Sequence, residues 1–217
     1  MGRPQLITDE ALLDAARQVF LEQGLHASTE AVAARAGVSQ GVVFKRFGSK
    51  EDLFHKAMSF EHELVGFFEQ ADRLQARAGQ GDFAVSLTEL GRAMLDRFSR
   101  MIPLIMMSWA NAGEANVPRP FLGKDPPPAR VMRRFGQYFS AELSARGLRG
   151  PEPMVVARVF LGSLWHFVML ELTIPGQLGL PAEEFLAGLI DLTLHGLRPV
   201  KRGAKKKPAP PKKGAKK

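Results

Sequence analysis

The residues with the clearest chemical reading lie in Gln40 to Phe47, QGVVFKRF. If this stretch is helical, Val43 and Phe47 are four apart and face a core. Gln40, Gly41, Val42, Phe44, Lys45 and Arg46 then face outward, with two cations and no acid. That balance suits a phosphate-lined groove, and the amide of Gln40 can pair with an adenine edge. Lys50, at the start of the next helix, is placed to touch phosphate rather than base. Arg3, in a Gly-Arg-Pro arm, is of the type that enters a minor groove, unless the arm is simply an untethered end.

Other chemistry is less well supported. His55, Glu61, His62 and Glu63 invite a metal reading, but His55 and His62 are seven apart, roughly 10 Å along a helix at 1.5 Å per residue. Helical metal pairs are spaced four apart, so a solvated face and no metal are expected. The chain has no Cys, no Gly-Lys phosphate loop, no H-E-x-x-H and no G-x-S-x-G, which leaves no recognised catalytic constellation and no expected cofactor. An apolar pocket is better represented. Phe98, Met101, Met106, Trp109, Phe135, Tyr138, Phe139, Trp165, His166 and Met169 come from four predicted helices, and Met with aromatic residues builds adaptable apolar sites as well as ordinary cores. Tyr138 and His166 are the expected polar handles.

The elements that must position these residues read as helices throughout. Thr8 caps a first helix with the stripe Leu12, Leu13, Ala16, Val19 and Phe20, ended by Gly24. Ser28 and Thr29 cap a short second helix whose small residues Ala33 and Ala36 admit a close neighbour. Gly37 supplies the left-handed turn, and Ser39 is placed to cap the helix at 40–47. Two short helices about a Gly turn are the pattern of a helix-turn-helix, which lays its second helix in the major groove of DNA. From Ser49 a single long helix is expected to about Ala78, broken by Gly79-Gln80-Gly81. Further helices are expected at 82–101, from Pro103, at 130–146, at 154–174 and at 181–197, with a loop at 111–128. The segment 154–174 is long enough to span a membrane, but Arg158, His166 and Glu171 interrupt it, so burial on several sides is expected instead.

The run AGVSQGVVFKRFGSKEDLF resembles the DNA-binding signature of the TetR family of bacterial transcriptional repressors. The likeness covers roughly the first quarter of the chain. It departs from the family where Val42 stands for a usual Thr, Phe44 for a usual Tyr and Ala27 for a common Thr, so contacts should lean on Lys45, Lys50 and backbone amides. The resemblance implies an all-α fold with a three-helix DNA-binding head (1–56) and a helical effector-binding and dimerisation body (57–198). It also implies a homodimer formed by the last two long helices, with Gly162, Ser163, Ala187 and Gly188 allowing close approach. The implied DNA partner is a double-stranded inverted-repeat operator, contacted through Arg3, Ser28, Thr29, Ser39 and the 40–50 residues named above. The implied control is release by a small apolar or aromatic effector.

The net charge of +8 is concentrated at one end. Residues 201–217 hold nine basic residues and no acid, and setting those nine aside takes the +8 to −1 for residues 1–200. A basic tail is expected at 199–217; its run 201–217 has no apolar residue larger than Ala and breaks its charge with Pro and Gly, so it should be disordered. With no apolar leader, the chain is expected to be cytoplasmic. Two other readings remain: an architectural, nucleoid-type DNA-binding protein dominated by the tail, and an all-helical enzyme.

Overall fold

The structure, a computed structural model, describes residues 7–111, 118, 121 and 123–199, apart from the side chains of residues 61, 62, 198 and 199. The arm with Arg3 and the basic run 201–217 lie outside the described residues. Among the described residues the regular elements are helices apart from two short strands.

The first four helices form the head: α1 (Asp9–Gln23), α2 (Thr29–Ala36), α3 (Gln40–Phe47) and α4 (Lys50–Ala57). Three of them start on a side-chain cap. Thr8 accepts from the Ala11 amide, Ser28 from that of Ala31 and Ser49 from that of Asp52, at 3.0–3.1 Å. Ser39 occupies the same position before α3, but its hydroxyl makes no capping bond. The expected Ser39 cap is therefore absent, and the residue is exposed. Apolar stripes from all four helices meet in one core, with Phe20 edge-on to Phe54 at 5.1 Å. The Arg17 guanidinium donates to the Ala57 carbonyl at 3.0 Å and ties α1 to the end of α4.

The expected long helix from Ser49 to Ala78 is in fact two, α4 and α5 (Glu61–Ala76). Met58 and Phe60 are both buried. In an unbroken helix they would lie roughly 200° apart around the axis, and the break turns both inward. A second departure is opposite in sense. Pro103 was expected to open a helix, yet it sits inside the 28-residue α6 (Phe83–Ala110). Its missing amide leaves one carbonyl without a helical partner. Burial of Met101, Ile102 and Leu104 around it outweighs that loss.

The body continues with α7 (Pro127–Ala145), α8 (Pro153–Thr173) and α9 (Ala182–His195). Pro127 and Pro128 open α7, where a proline costs no hydrogen bond. Strands β1 (Leu148–Arg149) and β2 (Arg198–Pro199) pair antiparallel, so Pro199 belongs to this clasp rather than to the expected tail. Glu142 is buried; it accepts from the Gly79 amide at 2.9 Å and from Arg146 at 2.7 Å. Arg146 also donates to the carbonyls of Gln80 and Gly81, locking the α5–α6 turn onto α7. Gly91 of α6 lies under Leu186 of α9, where an added Cβ would sit 2.2 Å from a Leu186 methyl. The helix α8 is long and apolar enough to cross a membrane by length and composition. Here its buried face packs in the body beside α6, α7 and α9.

Candidate nucleic-acid interface and apolar cavity

The turn between α2 and α3 rests on Gly37, whose φ of 67° and ψ of 30° are left-handed. Val38 then returns its amide to the Ala33 carbonyl at 3.0 Å. The turn sets α3 across α2, with Val43 and Phe47 buried and Gly41, Phe44 and Lys45 exposed. Val42, Gln40 and Arg46 are half-buried.

The polar residues read as DNA contacts separate into two groups. Lys45 has no hydrogen bond or ion pair among the described residues. The Gln40 amide donates to the Thr29 hydroxyl at 2.8 Å, so the buried Thr29 faces Gln40 rather than the open side. This bond uses one amide hydrogen and leaves Gln40 one donor and its carbonyl oxygen. The Arg46 guanidinium turns back to the Ile7 carbonyl at 2.6 Å and to Asp9 at 3.1 Å. It therefore ties the start of α1 to α3, and only Lys45 remains as an uncommitted cation on α3. Lys50 donates to the Leu25 carbonyl at 2.9 Å, and its position on the exposed surface is fixed by that bond. Ser28 is engaged as a cap.

A separate cavity of about 730 Å³ lies in the body, walled by α5, α6, α7, α8 and the stretch just before α5. Phe98, Met101, Trp109 and Trp165 are on its wall. The other six residues named for a pocket are not. Phe135, Tyr138 and Phe139 fill the solid core on the buried face of α7, and Met106 and His166 face outward, with Met169 half-buried. The helical period separates these faces, and a count of aromatic residues cannot. Tyr138 thus does not serve as a handle in the cavity. Its buried hydroxyl lacks a partner in hydrogen-bond geometry, and burial, then the charge of Glu142, holds its phenol above the usual range.

Residues that the sequence did not single out for a pocket complete the wall. Phe60 stands in the α4–α5 break and packs on Phe121, which in turn meets Trp109. Met132 and Arg133 come from α7, and Met154, Arg158 and Gly162 from α8. The signal for Arg158 was visible as a charge in an apolar helix, although it was weighed only against membrane insertion. Among the described residues no three His, Cys, Asp or Glu side chains gather as a metal site. Glu63 instead pairs with Arg97 and Arg100 of α6.

Residues 12–57 match the family model for bacterial regulatory proteins of the tetR family. By this match the chain carries the DNA-binding head of that family. Solved structures share the fold along most of their length. A TetR family transcriptional regulator from Pseudomonas syringae pv. tomato is 21% identical, with 88% of this chain and 98% of that one covered and a TM-score of 0.59. A transcriptional regulator from Rhodococcus is 24% identical over 88% and 98%, with a TM-score of 0.56. A SmeT–triclosan complex is 18% identical over 93% and 98%, with a TM-score of 0.57. The matched residues run from α1 through α4, and the cavity lies wholly beyond them.

Proposed function

We propose that this chain is a ligand-responsive transcriptional repressor of the TetR type that binds an inverted-repeat operator as a homodimer and leaves it when a small apolar or aromatic effector enters the body. The observation that carries this reading is the position of Phe60. It is three residues past the last helix of the head and already forms part of the cavity wall. A ligand that displaces Phe60 acts directly on the joint between α4 and α5. Two heads reading half-sites a helical turn or a multiple apart tolerate little change in spacing, so a small shift at that joint releases DNA.

On the DNA side, Gln40 reads a base edge, Lys45 and Lys50 meet phosphate, and Ser39 offers its uncommitted hydroxyl to the backbone. Exposed Val155 and Val159 on α8 and Leu192 on α9 form the apolar surface on which a second copy packs. The protein acts in the cytoplasm. The test is footprinting of genomic DNA fragments by the full-length chain, with and without apolar aromatic compounds. A protected imperfect palindrome that is lost on ligand addition is expected. Uniform protection of unrelated fragments, insensitive to ligand, would instead favour an architectural protein driven by its basic end.

A further inference from the structure

We infer that the cavity takes an apolar ligand bearing an anionic group, specifically a carboxylate, and that Arg158 receives that group. This rests on the effector-cavity reading above and names the ligand class. The strong hydrogen-bonding side chains on the described wall are four, those of Arg133, Arg158, Trp109 and Trp165, beside the weakly accepting sulfurs of its methionines. All four donate hydrogen bonds and none accepts. A ligand that satisfies this wall must bring the acceptors itself.

The two arginines are not equivalent. Arg133 is already paired with Asp125. Arg158 has no hydrogen bond or ion pair among the described residues. It is the first charged residue of α8, and it shares the cavity face with Met154, Leu161, Gly162 and Trp165 at helical spacing. The neighbouring first turn of α7 does not compete for an anion. Pro127 and Pro128 have no amide hydrogen, and the Ala129 amide is bonded to the Pro126 carbonyl at 3.0 Å. Aromatic faces alone would also attract a cation, but two arginines on the same wall and, among the described wall residues, no carboxylate oppose it. The remaining wall is aliphatic and aromatic, and a cavity of about 730 Å³ accepts a substantial apolar body.

The full-length protein is first loaded with N-phenylnaphthylamine, a neutral apolar dye that brightens in a dry site. Dye uptake tests the cavity itself. The dye is then displaced with dodecanoate, dodecanol and dodecylammonium, which share one chain and differ in head group. Dodecanoate should displace at roughly a tenfold lower concentration than dodecanol, as a charge-assisted hydrogen bond predicts, and dodecylammonium should be weakest. Arg158→Gln should bring dodecanoate to the level of dodecanol while leaving dye uptake and dodecanol unchanged, and Arg133→Gln should have the smaller effect. Equal displacement by acid and alcohol in the wild type, or an acid preference that survives Arg158→Gln, overturns the carboxylate assignment and leaves the cavity standing. Absence of dye uptake together with failure of all three compounds to bind overturns the cavity reading, and this inference with it.

Discussion

Arg46 donates to the Ile7 carbonyl while its neighbour Lys45 has no partner among the described residues, so the two cations of α3 should respond differently to removal. Lys45→Ala is expected to weaken binding to all DNA sequences alike and to lower the salt slope by about one. Arg46→Ala should leave that slope nearly unchanged and lower the melting temperature instead, because it unties α1 from α3. Equal salt slopes for the two variants would contradict this division. Tyr138 carries a second test at this scale. Its hydroxyl is buried without a partner, so Tyr138→Phe should be neutral or slightly stabilising at neutral pH. The raised phenol binds its proton more tightly in the folded chain than the ordinary value of 10.0. The unfolded chain therefore holds fewer protons above about pH 10, and stability falls as pH rises through that range. The wild type should lose more stability than Tyr138→Phe between pH 9.5 and 11.5, roughly, in parallel urea titrations. Superimposable pH profiles would refute the assignment.

Among the elements, those written in neighbouring residues were legible and those decided across the fold were not. The head was readable because Ser28, Gly37 and Ser49 act within three or four positions of themselves. Ser39 misled, since an extended residue before a helix need not cap it, and so did Thr29 and Arg46, whose partners Gln40, Ile7 and Asp9 come from other parts of the head. The α4–α5 break was hidden because Ala57, Phe60 and Leu64 keep a helical period across it. Pro103 misled in the other direction, where burial on both sides carries α6 through it. The cavity was half visible for a related reason, because Phe98 and Phe135 look alike in sequence and are separated only by which neighbour each face of a helix meets. Gly91 illustrates such a neighbour. Gly91→Ala puts a methyl 2.2 Å from a Leu186 methyl, so the buried Leu186 side chain must shift. A loss of about 1–3 kcal/mol in denaturant unfolding is expected. A variant as stable as the wild type would mean that Leu186 adjusts freely.

For the whole molecule, assembly and the charged end are the two questions. If α8 and α9 form the seam between two copies, Leu192→Glu should yield monomers in sedimentation, because Leu192 is 74% exposed in the single chain and does little for its fold. Those monomers should bind a full operator far more weakly, since the second head loses its tethered advantage. A variant that still sediments as a dimer would move the seam elsewhere. The basic run 201–217 should act on DNA without reading it. Its removal is expected to flatten the salt dependence on random DNA, roughly 0.9 per phosphate released, and to leave the preferred sequence unchanged. An unaltered slope would make the run a bystander.

The chain's two tryptophans, Trp109 and Trp165, both stand on the cavity wall, and its one tyrosine, Tyr138, is also in the body. The head has neither residue, so tryptophan emission comes from the body alone. Emission spectra follow the body alone during unfolding, whereas far-ultraviolet dichroism follows every helix. Where the two curves part, the head and body are melting separately, and no label is needed to see it.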